Sequence, residues 1–438
     1  KPPPVHAPWT QPPENWSADQ PLLAAASAAQ PDELPRDVHG RAWLDLHDTQ
    51  DSVGGTKRYF LGRLGTDLRV SNPFGDGGEL AFDAEILQRA NSFPDAPTDT
   101  ESDFVLQRFS YAHGGTLDEP VRWEAGRFLA REFPELGLVD GVEWTRRTPG
   151  GSRFGFNAGG LPEPFPEWRG EHDLGVALFG RLVSDPSERW SLGGAFQNTW
   201  HDGTQDRSLF VFEGEWRPSR DLAWRSTAWV DFYDSNDALK SGGFELTEIT
   251  SSVRWRFHPE WGVHVNASHR RYPELLRDEF TSLSPELVQD GVLDRASFAL
   301  WHDVSKRTRI DARVDGWQDA DDSGTSAELG VRWTDVVYAQ GSVGLAVFHA
   351  DGTFSTGSGV RCNATRSWNR VFGSLAYEYT TFDQKDFNGD QANLAHHAVY
   401  GSLDVPIGEH WTLSLQADDR FGDEQSAWGA GLMLQLRF

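Results

Sequence analysis

The sequence predicts an all-β fold, a transmembrane antiparallel β-barrel, and three observations carry that prediction. Segment after segment alternates apolar with charged residues at a period of two, the repeat of a strand. The 438 residues are only 38% hydrophobic yet hold 19 Trp, 27 Phe and 44 Gly, whereas a soluble core is built mainly from Leu, Ile and Val. No apolar run approaches the ~18 residues of a spanning helix, and strands that alternate lipid-facing with lumen-facing residues need none.

The alternation is explicit in chain order. Phe60, Leu64, Leu68 and Val70 oppose Arg63, Asp67 and Arg69; Leu80, Phe82, Ala84 and Ile86 oppose Asp83 and Glu85. In SLFVFEGEW, Phe210, Phe212, Gly214 and Trp216 oppose Glu213 and Glu215, with Arg217 following on the charged side. In TSSVRWRF, Ser251, Val253, Trp255 and Phe257 oppose Ser252, Arg254 and Arg256. In RIDARVDGW, Ile310, Ala312 and Val314 oppose Arg309, Asp311, Arg313 and Asp315. A soluble antiparallel sheet also has one wet face. Here the charged face carries both signs on strand after strand, and no helical segment is available to cover the apolar face. The apolar face is therefore assigned to lipid and the charged face to a lumen.

Short connections punctuate the second half at SDPSER (184–189), RPSRD (217–221), HPEW (258–261), SKRT (305–308), AQGS (339–342), RSWN (366–369) and VPIGEH (405–410). Their Pro, Ser, Asn and Gly supply turn chemistry. Between them lie the polar stretches HDGTQDRS, DSNDALKSGG, GWQDADDSGTS and DQKDFNGDQAN. The expectation is short periplasmic turns at one rim and longer extracellular loops at the other. Trp190, Trp216, Trp261, Trp368 and Trp411 sit beside the short turns, where an amphipathic ring suits a membrane interface. Counting from both ends gives about 22 strands, within a range of roughly 16 to 24, an even number as single-chain barrels require.

Residues 1–37 are rich in Pro and Ala and lack alternation, so they are expected to form an extended periplasmic arm ahead of a barrel over 38–438. The 66 acidic against 40 basic residues, net −26, argue against nucleic acid as a partner. The single Cys362 excludes an intrachain disulfide and a multi-cysteine metal site. No CxxCH haem motif is present. No secretory signal is visible, so an exported chain would be read here in its mature form.

The closing stretch AWGAGLMLQLRF ends in mid-alternation, with Leu432, Leu434, Leu436 and Phe438 on one face. On these residues and the alternation before them, the chain resembles a bacterial outer-membrane β-barrel of the porin-like type over about residues 38–438. The resemblance implies that Leu432, Leu434, Leu436 and Phe438 are the signal read by the barrel assembly machinery. It also implies a setting of membrane lipid and lipopolysaccharide. The last strand is expected to pair with the first, GRAWLDLHD (40–48), which removes both sheet edges.

The candidate site residues are lumenal charges: Arg63, Asp67, Arg69, Asp83, Glu85, Glu213, Glu215, Arg254, Arg256, Arg309, Asp311, Arg313 and Asp315. Such ladders tune selectivity through the local field, or else stiffen the wall as cross-strand ion pairs. Two segments are candidates for folding inward. REFPELGLVDGVEW (131–144) follows the strand VRWEAGRFLA and would bring Arg127, Arg131, Glu132, Glu135 and Asp140 to a constriction. RRYPELLRDEFTSLSPELVQDG (270–291) is the longest connection. Its Ser284-Pro285 start and Gly291 stop predict a short helix, with a second over YPELLRDEF.

DQKDFNGDQ offers Asp383, Asp386, Asn388 and Asp390 as a weak calcium candidate, lacking the bidentate Glu of a full loop. His396 and His397 are adjacent on a strand and point to opposite faces. No spacing signature of a catalytic triad is legible, so no enzymatic activity and no cofactor are expected. The leading expectation is an outer-membrane channel passing small hydrophilic solutes or ions through a lumen of mixed charge. The alternative is a scaffold barrel that sheathes a lumenal or periplasmic protein, such as the multihaem cytochrome of a porin–cytochrome conduit, or belongs to an envelope complex.

Overall fold

The computed structural model describes residues 35–438 except 95–96, 117, 163–171, 186, 235–236, 277–282, 354 and 386–390. The Pro/Ala-rich arm thus lies outside the described residues, apart from its last three positions. The strands begin with β1 (Asp37–Asp51), β2 (Lys57–Ser71), β3 (Glu79–Ser92), β4 (Asp99–Gly114), β5 (Val121–Leu129), β6 (Leu138–Arg147) and β7 (Arg153–Gly160). They continue with β8 (Asp173–Val183), β9 (Trp190–His201), β10 (Thr204–Trp216), β11 (Leu222–Tyr233), β12 (Gly243–His258), β13 (Trp261–Arg271), β14 (Val292–Ser305) and β15 (Thr308–Gln318). The last are β16 (Ser323–Thr334), β17 (Gly341–Gly352), β18 (Ser355–Trp368), β19 (Val371–Lys385), β20 (Gln391–Ile407), β21 (Trp411–Gly422) and β22 (Gln425–Arg437).

All 22 form one sheet. Each pairs antiparallel with its sequence neighbours, and β1 pairs with β22 from Arg41↔Arg437 to Asp51↔Ala427. The sheet is closed. Beyond β22 the backbone of Phe438 still exchanges two hydrogen bonds with Gly40, 2.9 and 3.1 Å, so the closing seam extends to the last residue. Deleting Phe438 removes this pair and the terminal aromatic; a sharp fall in heat-modifiable barrel yield is expected, and normal yield would refute an assembly role.

The faces follow the period-two pattern because directly paired residues share a face. Leu64, opposite Leu44 and Ile86, is outward and 55% exposed. Phe212, Trp216, Trp255, Phe257 and Val314 are likewise outward and exposed, a face suited to hydrocarbon. Trp190, Trp216, Trp368 and Trp411 stand exposed at the rim that carries both chain ends.

The two rims differ less in connection length than the sequence suggested. HDGTQDRS is almost entirely strand: only Asp202 and Gly203 form the turn, with φ of 48° and 79°. Positive φ at both central residues is the turn whose twist matches a two-residue hairpin, and Asp-Gly is its preferred pair. GWQDADDSGTS likewise contributes only 319–322 as turn.

The wall is uneven in height. β5, β6 and β7 have 9, 10 and 8 residues, against 14 to 16 in β1–β4. β4 meets β5 only from Phe109 to Gly114, so its far half has a strand partner on one side alone. At this low sector the chain between β5 and β6 turns into the lumen.

Candidate pore constriction

The inward turn is built by its own sequence. Pro134–Leu136 form one 3₁₀ turn, and Gly137 reverses the chain at φ 84°, a conformation Gly adopts without a Cβ penalty. Phe133 and Leu136 are 0% and 3% exposed. They pack with Ala130 on the inner wall of β8–β11 against Ala177, Phe179, Ala195, Leu209, Val211 and Trp229. Arg181 donates to the Glu132 carbonyl and Gln197 to the Leu136 carbonyl, both at 2.8 Å, so the wall pairs the turn's polar backbone. Burying Phe133 and Leu136 contributes about 1.5–3 kcal/mol each. This explains why the lumen-facing Ala177, Phe179, Ala195, Leu209 and Val211 on β8–β10 are apolar where a water-filled barrel would be polar.

Charged groups surround the turn. Arg153 lies 3.2 Å from Glu132 and 2.5 Å from Glu188; Arg181 bridges Glu132 at 3.7 Å and also pairs with Glu213. A cavity of about 430 Å³ lies among these groups, with Arg131, Glu135, Glu215 and Arg225 on its lining. Beside it on the inner face of β4–β6, Glu124 accepts from Arg108 at 2.9 Å, from Ser110 at 2.6 Å and from Arg122, which also reaches Glu143 at 3.3 Å.

Of the expected constriction residues, Arg131, Glu132 and Glu135 border the cavity. Arg127 and Asp140 do not. They face each other across β5 and β6 in register with outward Phe109, pair as a two-pronged ion pair, and Arg127 also donates to the Leu106 carbonyl at 2.9 Å. The reason is parity: Phe128 and Val139 turn into the apolar cluster with Leu161, which sends Arg127 and Asp140 to the outer face.

Among the described residues, no inward-folded turn covers the opposite arc of the lumen. There β16–β22 and β1 present small or polar groups, including Ser342, Asn363, Ser374, Ser402, Gly429 and Gly431, around a cavity of about 680 Å³. Ser374–Ser402 and Ser342–Thr365 hydroxyl pairs, 2.6 and 2.8 Å, tie adjacent strands without narrowing the space.

The other candidate charges line the inner face, mostly in pairs. Arg63 lies 2.5 Å from Asp45 and Arg41 3.6 Å from Asp67. Asp83 faces Asp67 and Arg108 across its two neighbouring strands, and Glu85 faces Gly65 and Val105. Arg69 sits opposite His39 and Ala81. Glu215 meets Arg217 at 3.2 Å and Arg225 at 3.3 Å. Arg309 grips Asp303 at 2.6 and 3.1 Å, Arg256 stands 4.0 Å from the same carboxylate, and Arg313 meets Asp315 at 2.6 Å. Arg254 and Arg309 stack on Trp301 at 5.7 and 6.0 Å, and Asp311 faces Trp301 across the strand pair.

Several inner residues escaped the sequence reading. Arg361, between Glu328 at 3.0 Å and Glu378 at 2.7 Å, is one; Arg332, opposite Arg309, is another. The alternation in AELGVRW was available to place Glu328 and Arg332. Nothing local marked Arg207 and Asp231, whose ion pair is fully buried.

At the rim away from the chain ends, Glu274 accepts the N–H groups of Ala238, Leu239 and Lys240, each at 2.9 Å. This ties two connections together. The short helix forms as expected over Pro285–Asp290, with Ser284 as N-cap. The second expected helix is absent over 272–276, and its remainder lies outside the described residues. Of the calcium candidate, Asp383 bonds Asn393 at 2.8 Å; Asp386, Asn388 and Asp390 lie outside the described residues. Among the described residues no group of three or more His, Cys, Asp or Glu is arranged to hold a metal ion.

A closed wall with an apolar outside, a charged inside and a folded-in turn defines a transmembrane β-barrel of the outer-membrane, porin-like type. No protein-family model and no curated protein matches the sequence. The translocation pore of the P pilus usher PapC is similar in fold, with a TM-score of 0.51 at 10% identity over 91% of this chain and 99% of that one. Pseudomonas aeruginosa OccK7 (OpdD) gives a TM-score of 0.43 at 8% identity over 92% of this chain and 98% of that one. At such identity the likeness concerns the barrel itself.

Proposed function

We propose that the protein is a channel of the bacterial outer membrane that passes small hydrophilic solutes or ions, with its chain-end rim in the periplasm. The observation that carries this reading is the division of the lumen. One arc is narrowed by the 130–137 turn and its charges, while the other, lined by small polar groups together with charged side chains such as Arg332, Asp418 and Arg420, carries no such turn among the described residues and leaves a path for water and solutes. Exclusion by the narrowed arc and the field of the wall charges then set what passes. The mechanism needs no cofactor and no covalent step. The width of a 22-stranded wall favours the second reading, a barrel that sheathes another protein along its open arc.

The test is single-channel recording of the purified protein in a planar bilayer. Stable stepwise conductance is expected; a correctly folded but silent barrel would overturn the channel reading and favour the sheath. Arg309→Glu with Arg313→Glu changes the wall charge by four units. The reversal potential in a salt gradient is expected to move toward cation preference, and an unmoved potential would remove these two residues from the conduction path.

A further inference from the structure

The rim away from the chain ends is acidic, whereas the chain-end rim is basic over one arc, from β10 to β19, and acidic in its other turns, at Asp76, Asp118, Glu119, Asp185, Glu188 and Glu409 against Arg189. At the rim away from the chain ends, the turns contribute Asp202, Asp234, Asp237, Asp319, Asp321, Asp322, Asp423 and Glu424. At the chain-end rim, the turns from β10 to β19 contribute Arg217, Arg220, Lys306, Arg307 and Arg370 against Asp221, Glu260 and Asp335. Just inside that rim the strand ends add Arg254, Arg256, Arg309 and Arg332, with Asp303 and Glu215 as the nearby acids. Arg220, Lys306, Arg307 and Arg370 are exposed and make no ion pair among the described residues. In a chain of net charge −26, this basic arc is a local departure: Arg217, Arg256 and Arg309 meet Glu215 or Asp303, while the four exposed turn cations have no acidic partner among the described residues.

We infer that this arc is a docking surface for an acidic soluble protein seated on the chain-end mouth of the barrel. Two features select that partner over the alternatives. The turn residues stand beyond the outward Trp216 and Trp368, and the strand-end arginines point into the lumen, so the positive field covers this arc of the mouth and turns away from the surrounding bilayer. The arc also crosses eight strand intervals, roughly 35–40 Å of wall at ~4.8 Å per strand. That is the breadth of a small protein surface and far exceeds a single small anion. Complementary charge of this kind steers association and fades with salt.

The experiment measures binding of a 20-residue polyglutamate peptide to the full chain in nanodiscs of zwitterionic lipid. Binding that weakens as salt rises is expected, and neutralising the arc (Arg220→Gln, Lys306→Gln, Arg307→Gln, Arg370→Gln) is expected to weaken it about tenfold or more. A control with the same change in net charge elsewhere (Arg41→Gln, Arg58→Gln, Arg146→Gln, Arg189→Gln) should bind nearly as the parent does. Equal losses in both variants would reduce the effect to net charge and overturn the proposal. Displacement of the peptide by millimolar inorganic phosphate would reassign the arc to small anions. If the arc variant keeps its peptide affinity and differs only in association with phosphatidylglycerol vesicles, the partner is lipid and the proposal is overturned as well. Heat-modifiability of each variant verifies that the barrel is folded.

Discussion

Replacing residues 131–136 with a Gly-Ser-Gly link between Ala130 and Gly137 is expected to raise single-channel conductance roughly twofold or more, since the inward turn occupies one arc of the lumen. The ends to be joined are already close, with the Ala130 N–H 3.4 Å from the Gly137 carbonyl, so the hairpin between β5 and β6 can close without the turn. Two consequences separate this from general damage. The charge pairs of Arg153 and Arg181 with Glu132 disappear, so ion selectivity should change together with conductance. The wall loses the apolar cover over Phe179, Leu209 and Val211, so the barrel should also unfold at a lower temperature. An unchanged conductance in a folded barrel would mean that ions never pass the turn, and the open arc would then be the whole conducting path.

Arg207→Ala is expected to destabilise the barrel by about 3–5 kcal/mol, because it leaves a buried carboxylate unpaired. Asp231 is 0% exposed, and its oxygens accept from Arg207 at 2.5 and 3.0 Å and from Thr247 at 2.5 Å. The measurement is the heat or denaturant midpoint of the folded band, compared with Arg207→Met combined with Asp231→Leu. The double variant removes both charges and should recover most of the loss, since exchanging a buried pair for apolar groups is often neutral or better. A single variant as stable as the parent would show that water reaches Asp231 and that this side of the mouth is open.

Strand identity and facing were legible because a membrane barrel imposes one simple rule on every strand. Phe212 and Trp216 must meet lipid, and Glu213 and Glu215 must meet the lumen; a one-residue slip would reverse both at once. The closing pair was legible for the same reason, since β22 has no other way to satisfy its free edge. Connection lengths were harder. Asp202-Gly203 is a two-residue turn signal, but the polar residues after it look like loop until the lumen is recognised as a polar environment.

Period, strand number, closure and the outward girdle are therefore properties of the sequence alone, because each depends on the alternation along a strand and on local turn chemistry. Which lumenal positions come together depended on the tertiary structure. Arg127 and Asp140 lie on the outer face because Phe128 and Val139 claim the inner one. Phe133 is buried because three strands distant from it in sequence, β8, β9 and β10, present Phe179, Ala195, Leu209 and Val211 together. Arg207 and Asp231 pair across the neighbouring strands β10 and β11, with Thr247 of β12 completing the carboxylate's partners. Those encounters are set by register and stagger around the closed wall, and no single strand carries that information.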